Sequence, residues 1–193
     1  MPPAQSQSGV AAPIASYPAK QTNLVRFFSL KHEFPTEWQQ FMHPLGTSQT
    51  MSLFLTNERF PFQHRAKKIS LSNVQLFLKF KAAYPPSTSS ASSPKSDYGT
   101  NQLEVSLSDP SKTSYPGTFV STQGILDGVP YVSIFLPKVR ITSPGRVTPW
   151  MLTIPSVANL PAFLQSVPFG GGGPFLNSAV IDDLFYVCQY SVQ

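Results

Sequence analysis

Adjacent carboxylates at Asp182 and Asp183, three histidines and a run of four glycines are the places where this chain could do chemistry. None is spaced for it. On an extended strand, neighbours point to opposite faces, so Asp182 and Asp183 cannot act as a pair across one cleft as glycoside hydrolysis requires. Asp183 precedes an apolar run and is expected to accept backbone or hydroxyl hydrogen bonds at the edge of a sheet. Glu33, Glu37, Glu58, Asp97, Glu104, Asp109 and Asp127 remain as acid–base candidates, and spacing singles out no pair among them. His32, His43 and His64 lack the His-Glu-x-x-His pattern of a zinc helix. Each is expected to be exposed or locally bonded near a turn or strand end. The glycines Gly170 to Gly173 lead into Pro174-Phe175 rather than Lys-Ser/Thr, which does not support a phosphate loop, and no Gly-x-Ser-x-Gly elbow occurs. Cys188 is the only cysteine, so an internal disulfide and a Cys-based zinc site are excluded, and a small buried hydrophobe is expected there. The expectation is a chain without catalytic residues, cofactor or metal.

Charge points elsewhere. Only 12% of residues are charged, yet the formal balance is +5 and the sequence pI about 9.4. Up to Lys81 there are nine Lys and Arg against three Glu, a balance of +6; beyond it five stand against six Asp and Glu, a balance of −1. A basic first half suits an acidic partner surface, and Arg59, Arg65, Lys67 and Lys68 are the candidate partner-binding residues. The plainer alternative is a solvated strand face, with Lys67, Lys68, Lys79 and Lys81 flanking one hydrophobic strand. The aromatics read as core and no aromatic RNA-binding signature occurs, so nucleic acid is not an expected partner. Trp38 and Trp150 could stack on sugar rings, but core packing is the preferred role for both.

The elements that would position these residues are strands. In Lys67 to Lys81 the apolar residues alternate, Ile69 then Leu71, and after Ser72-Asn73 they resume on Val74, Leu76, Leu78 and Phe80. Alternation of this length marks a half-buried strand, and the slipped phase marks a β-bulge. Leu24–Leu30, Met51–Thr56, Leu103–Leu107, two pieces within Ile125–Phe135 around Asp127-Gly128, Val139–Ile141, Val147–Ile154 and Ala179–Val192 complete the strand set. The last is apolar on both faces around Leu184 to Cys188, which predicts a central, covered position in a sandwich. Phe34 to Met42 predicts a short helical turn, with Pro35 in its first position and Phe34, Trp38, Phe41 and Met42 on one face. The twenty prolines and fifteen phenylalanines fit short strands and turns better than helices. Ser/Pro-dense Ala82–Thr100 and the glycine run read as surface loops. Residues 1–22 read as a disordered Pro/Ser/Ala-rich arm or linker, and 23–193 as one all-β antiparallel sandwich. The start of the chain shows no charged and apolar signal-peptide regions, and no run reaches the length of a membrane-spanning helix.

Three segments in order resemble one family. Phe28-Ser29-Leu30 with Glu33-Phe34-Pro35 is similar to the strand, x-Phe-Pro and short helix that open the C-terminal, TcB-binding domain of Tc (toxin complex) A subunits. Phe60-Pro61-Phe62, leading through Lys68-Ile69-Ser70-Leu71 to Val74-Gln75-Leu76, resembles that family's Phe/Tyr-Pro turn before a basic residue and an Ile-x-Ser-Val-x-Leu strand. Pro149-Trp150-Met151-Leu152-Thr153-Ile154-Pro155, then Val180-Ile181-Asp182-Asp183-Leu184 and Gln189-Tyr190-Ser191-Val192, resemble its closing strands. The resemblance spans about Asn23 to Gln193. It implies a non-catalytic docking domain whose protein partner is a TcB-type β-propeller, a pentameric ring of such domains, and an extracellular place in a released toxin or injection assembly. A stand-alone carbohydrate-binding or adhesion module, and a hydrolase without identifiable residues, remain the rival readings.

Overall fold

The computed structural model describes residues 21–44, 48–81, 103–120, 129–141, 148–167 and 173–193. Its elements are β1 (Gln21–Ser29), α1 (Leu30–Glu33), α2 (Pro35–Met42), β2 (Gln49–Leu53), β3 (Ile69–Phe80), β4 (Glu104–Ser108), β5 (Ser114–Thr118), β6 (Tyr131–Arg140), β7 (Trp150–Ile154), β8 (Gln165–Ser166), β9 (Phe175–Leu176) and β10 (Ile181–Val192). Single 3-10 turns cover Asn57–Arg59, Phe62–His64 and Ala162–Leu164. Two four-stranded antiparallel sheets, ordered β1-β10-β3-β6 and β2-β7-β4-β5, bury their facing sides against each other, and β8-β9 forms a small ribbon. This is the antiparallel sandwich with a short helical turn that the alternation predicts.

Sequence chemistry explains the local choices. β3 alternates in burial up to Leu71, then presents Asn73 and Val74 in succession, and its pairing with β6 slips between Leu71 and Asn73. That is the bulge read from the slipped alternation. Leu76 and Leu78 are buried while Lys79 and Lys81 are exposed, as expected. Phe80 is half-buried rather than buried: it lies past Tyr131, the last β6 residue to pair with β3, opposite Phe77. In α2, Pro35 takes the first turn and Trp38, Phe41 and Met42 face the core with Phe34. Buried Gln49 fastens that helix to the sandwich. Its Nε2 donates to the Phe41 carbonyl at 2.9 Å, and its Oε1 accepts from the Leu176 amide at 2.6 Å.

Several boundaries differ from the sequence reading. β1 starts at Gln21, so Gln21 and Thr22 belong to the sheet and not to the arm; residues 1–20 lie outside the described residues. The strand expected over Val139–Ile141 is the end of β6, which continues through Pro137 by a shift in pairing between Phe135 and Val139. β5 carries Pro116 and Gly117, residues that argue against a strand, and it is tolerated because it is the edge of its sheet. β10 is central, between β1 and β3, but only one face is covered: Phe185 and Val187 are partly open to solvent. The expected loop over 82–100 and the Asp127-Gly128 turn lie outside the described residues.

The two sheets close on one side where β5 meets β6. Val120 pairs with Tyr131 across this seam, and a Cβ placed on Gly117 would stand 2.6 Å from Val132 Cγ2. A glycine is needed there for close approach, not for backbone freedom. On the other side α1 and α2 connect β1 to β2. No helix among the described residues is long and apolar enough to cross a membrane.

Candidate docking face

The four basic candidates are held in different ways. Arg59 is turned into the fold. Its Nε donates to the Phe54 carbonyl at 3.0 Å, one Nη donates to the Glu33 carbonyl at 3.2 Å, and the guanidinium lies 4.0 Å from the centre of the Phe34 ring. Arg26 completes this staple, donating to both Glu33 carboxylate oxygens at 3.2 and 3.1 Å and to the Arg59 carbonyl at 3.0 Å. Arg59 therefore locks the turn to α1. Arg65 is exposed, with its Nε donating to the Phe60 carbonyl and its guanidinium over the Phe62 ring. Lys67 is half-buried, and Lys68 is exposed with its backbone paired to Gln193.

The chemistry candidates are held in structural roles. Asp182 Oδ1 accepts from Lys31 Nζ and its Oδ2 from Lys79 Nζ, both at 2.7 Å. Hydrogen bonds from Lys31 and then Lys79 hold its carboxyl down at about 2, and the Asp182 hydrogen bond correspondingly raises Lys79. A carboxylate gripped this way is a fixed anion at neutral pH, not a proton donor. It borders a hollow of about 300 Å³ that also touches Lys31, Trp38, His43 and Lys81. Asp183 accepts from Ser29 Oγ at 2.5 Å and from the Lys31 amide at 3.0 Å, while Ser29 Oγ accepts from the His32 amide and caps α1. Asp183, Ser29 and His32 are the residue types of a nucleophilic triad, but the histidine contributes its backbone N–H. Accepting hydroxyl and backbone hydrogen bonds is the role expected for Asp183, but it does so near the start of a central strand and not on a sheet edge.

Asp109 shapes the β4–β5 turn, accepting from the Ser111 and Thr113 amides and the Tyr115 hydroxyl. Burial pushes its carboxyl up, but these hydrogen bonds outweigh it and leave a net lowering. His64 is buried with Nδ1 at 3.0 Å from the Tyr190 hydroxyl, a core role that the local sequence does not announce. Trp38 and Trp150 are both core residues, and burial pushes the Cys188 thiol up to about 12. Among the described residues no group of three or more His, Cys, Asp or Glu converges.

What the fold does bring together is apolar. Sheet register aligns Ser29, Phe185, Phe77 and Tyr131 across the outer side of the β1-β10-β3-β6 sheet. The next row holds Phe27, Val187, Gln75 and Ser133, and the third holds Val25, Gln189, Asn73 and Phe135. Val25, Phe27 and Phe135 are 59%, 47% and 80% exposed. The Phe27 and Phe185 rings lie 4.9 Å apart, and Phe77 stacks on Tyr131 at 5.9 Å. Antiparallel sheets with one solvent side ordinarily alternate apolar-in with polar-out. Here both parities of β1, β10 and the end of β3 carry aromatic or aliphatic groups. The same signal stands in the sequence as Leu24-Val25 and Phe27-Phe28, as Leu76-Phe77-Leu78 and as Leu184 to Cys188, where it reads as burial on both faces. Comparison with protein-family models, curated proteins and solved structures finds no match for the chain.

Proposed function

We propose that the chain is a non-catalytic docking domain that binds a protein partner through the outer face of the β1-β10-β3-β6 sheet. The observation that carries this reading is the aromatic and aliphatic surface of Val25, Phe27, Phe185, Val187 and Phe77, with the exposed Phe135 beyond Asn73, Gln75 and Ser133 at the far edge of the same face. Patches of this kind mark interaction sites, and aromatic residues are enriched at the centres of protein interfaces. Charge sits at the ends of the face: Lys79 at one end, Lys138 and Arg140 at the other, in a chain of formal charge +5. The complementary partner surface is apolar at its centre and acidic at its rim. By the family resemblance, that partner is a TcB-type β-propeller, a pentameric ring is the assembly, and a released toxin or injection assembly is the setting.

The test replaces Phe27 and Phe135 by Ser together and measures binding to a TcB-type propeller by biolayer interferometry, with sedimentation velocity to read self-association. Both side chains are exposed, so the melting temperature should hardly move. Truncating two exposed aromatics of the face should remove about 2–4 kcal/mol of binding, which is a loss of roughly 30-fold or more. A folded double variant that binds as tightly as the wild type sinks the docking face. A wild-type chain that ignores the propeller removes the TcB partner, and sedimentation then reports whether copies of the chain cover the face instead.

A further inference from the structure

Beyond Val25, Gln189 and Phe135 the same outer face ends in a polar depression of about 300 Å³. We propose that this depression binds an acidic sugar, a hydroxylated ring bearing a sulfate or phosphate group. Lys138 and Arg140 hold the oxyanion, and Asn23, Ser70, Ser72 and Ser191 meet the ring hydroxyls. The inference does not depend on which partner covers the docking face, although Lys138 and Arg140 also form one end of that face.

Three observations converge on the place. First, the sheet abandons regular pairing at this level. The β1 register shifts between Gln21 and Leu24, the β3–β6 register between Leu71 and Asn73, and the β10–β3 register between Gln189 and Tyr190. Bulges of this kind bend strands and re-aim side chains, and they gather next to functional sites. Second, two of the three non-glycine residues with positive φ among the described residues line the depression: Asn23 at 59° and Lys138 at 58°. The third, Lys112, sits in the β4–β5 turn, where such a conformation is ordinary. Asn tolerates this region; Lys has no local hydrogen bond that favours it, so the strain falls on a residue that contributes a charge.

Third, the lining suits one ligand chemistry. Among the described residues its side chains include two cations and no carboxylate, with Thr22, Asn23, Ser70, Ser72, Ser191 and Gln193 as neutral hydrogen-bonding groups. The planar Arg140 fork matches an oxyanion through two bonds, with Lys138 as a mobile point charge. Hydroxyls and amides both donate and accept, as sugar hydroxyls do. A bare ion would leave that neutral wall unused. Single-stranded nucleic acid would call for aromatic stacking platforms, and none lines the depression. The volume lies at the lower end of the roughly 300–1,000 Å³ of known small-ligand pockets.

The test titrates the full, 15N-labelled chain with glucose 6-sulfate, glucose 6-phosphate, glucose and inorganic sulfate, following backbone amide shifts. Both acidic sugars should move the Ser70, Ser72, Lys138, Arg140 and Ser191 amides together. Glucose and inorganic sulfate should each bind at least about tenfold more weakly, the equivalent of 1.4 kcal/mol. The two acidic sugars distinguish a sulfated from a phosphorylated ligand. Lys138→Glu with Arg140→Glu should abolish the shifts, while Lys112→Glu on the distant turn should not. Lys138→Gly separates binding from folding: it relieves the positive φ, so the melting temperature should hold or rise while affinity for the acidic sugars falls. The proposal is overturned by inorganic sulfate binding as tightly as the sugars, by glucose doing so, by an unaffected charge-reversed variant, or by the absence of shifts at these amides.

Discussion

Gly117→Ala tests whether the sandwich closes where β5 meets β6, the contact that fixes the strand carrying Phe135, Lys138 and Arg140. The added Cβ would lie 2.6 Å from Val132 Cγ2 and 3.2 Å from Ile134 Cγ1. Carbon atoms settle at about 3.5–4.0 Å, so the first contact is about 1 Å too short. Neither neighbour can swing aside cheaply. Both are β-branched, stiff at χ1 and buried in the core. The two sheets must therefore part locally, and overpacking of this kind costs about 1–3 kcal/mol. Against it stands the usual gain of about 0.4–1 kcal/mol from reducing the freedom of the unfolded chain. No positive φ at Gly117 adds to the cost.

The net expectation is a loss of about 1 kcal/mol, between about 0 and 2.6, read from urea denaturation with an unchanged m-value. In a chain of this size that is a drop of roughly 2–4 °C in melting temperature for each kcal/mol. Val132→Ala in the same chain opens space, so the double variant should lose less than the sum of the singles, the signature of a direct contact. A stabilised Gly117→Ala, or strict additivity with Val132→Ala, would refute the closure and leave the placing of β6 unexplained.

Leu76→Ala removes a fully buried side chain from the centre of β3 and should cost about 2–5 kcal/mol in urea denaturation; a loss under about 0.5 kcal/mol would contradict the packing of that strand. The pH profile of stability should show two separate acid steps. Burial, and then the charge of Lys67, hold His64 below its ordinary 6.5, so its contribution is complete above pH 6.5 and is lost as pH falls towards the lower folded value. An NMR titration that places the His64 ring at or above 6.5 would contradict this. Asp182, held at about 2 against 3.8, contributes above pH 3.8 and is lost between 3.8 and about 2. The full shift corresponds to about 2 kcal/mol, and solvent reaching a carboxylate 24% exposed reduces it. Asp182→Asn should erase this lower step, and a step that survives in the variant would assign it elsewhere.

The scaffold was legible where one residue's neighbours decide its conformation. The β3 bulge follows from a slip in alternation between Leu71 and Val74, and α2 follows from Pro35 in the first turn with Trp38, Phe41 and Met42 on one face. Long-range partners were not legible. Arg59 and Arg65 look alike in the chain, and only the arrival of Glu33 and Phe34 makes the first a structural staple. His64 becomes a core residue because Tyr190, 126 positions away, reaches it. β5 was hidden by Pro116 and Gly117, whose poor strand propensity is outweighed by an edge position and a close inter-sheet approach. The bulge of β6 left only Pro137 as a trace, since nothing in a lysine side chain announces a positive φ at Lys138.

One mismatch between sequence and structure bears directly on function. Leu184 to Cys188 has the pattern of a strand covered on both faces, yet in the isolated chain only Leu184, Tyr186 and Cys188 are buried. Phe77 and Phe27, on the strands either side, repeat the pattern on the same outer side. An apolar outer face adds nothing to the stability of the lone sandwich and raises the risk of aggregation, so it runs against the usual economy of a solvated antiparallel sheet. The conflict disappears if the folded chain is half of an interface: the doubly apolar pattern then describes the assembled state, and the exposed Val25, Phe27 and Phe135 are the part of that core a partner covers. On this argument the substitutions Phe27→Ser and Phe135→Ser should make the isolated chain more soluble while weakening the complex. Greater solubility with undiminished binding would break the link between the two.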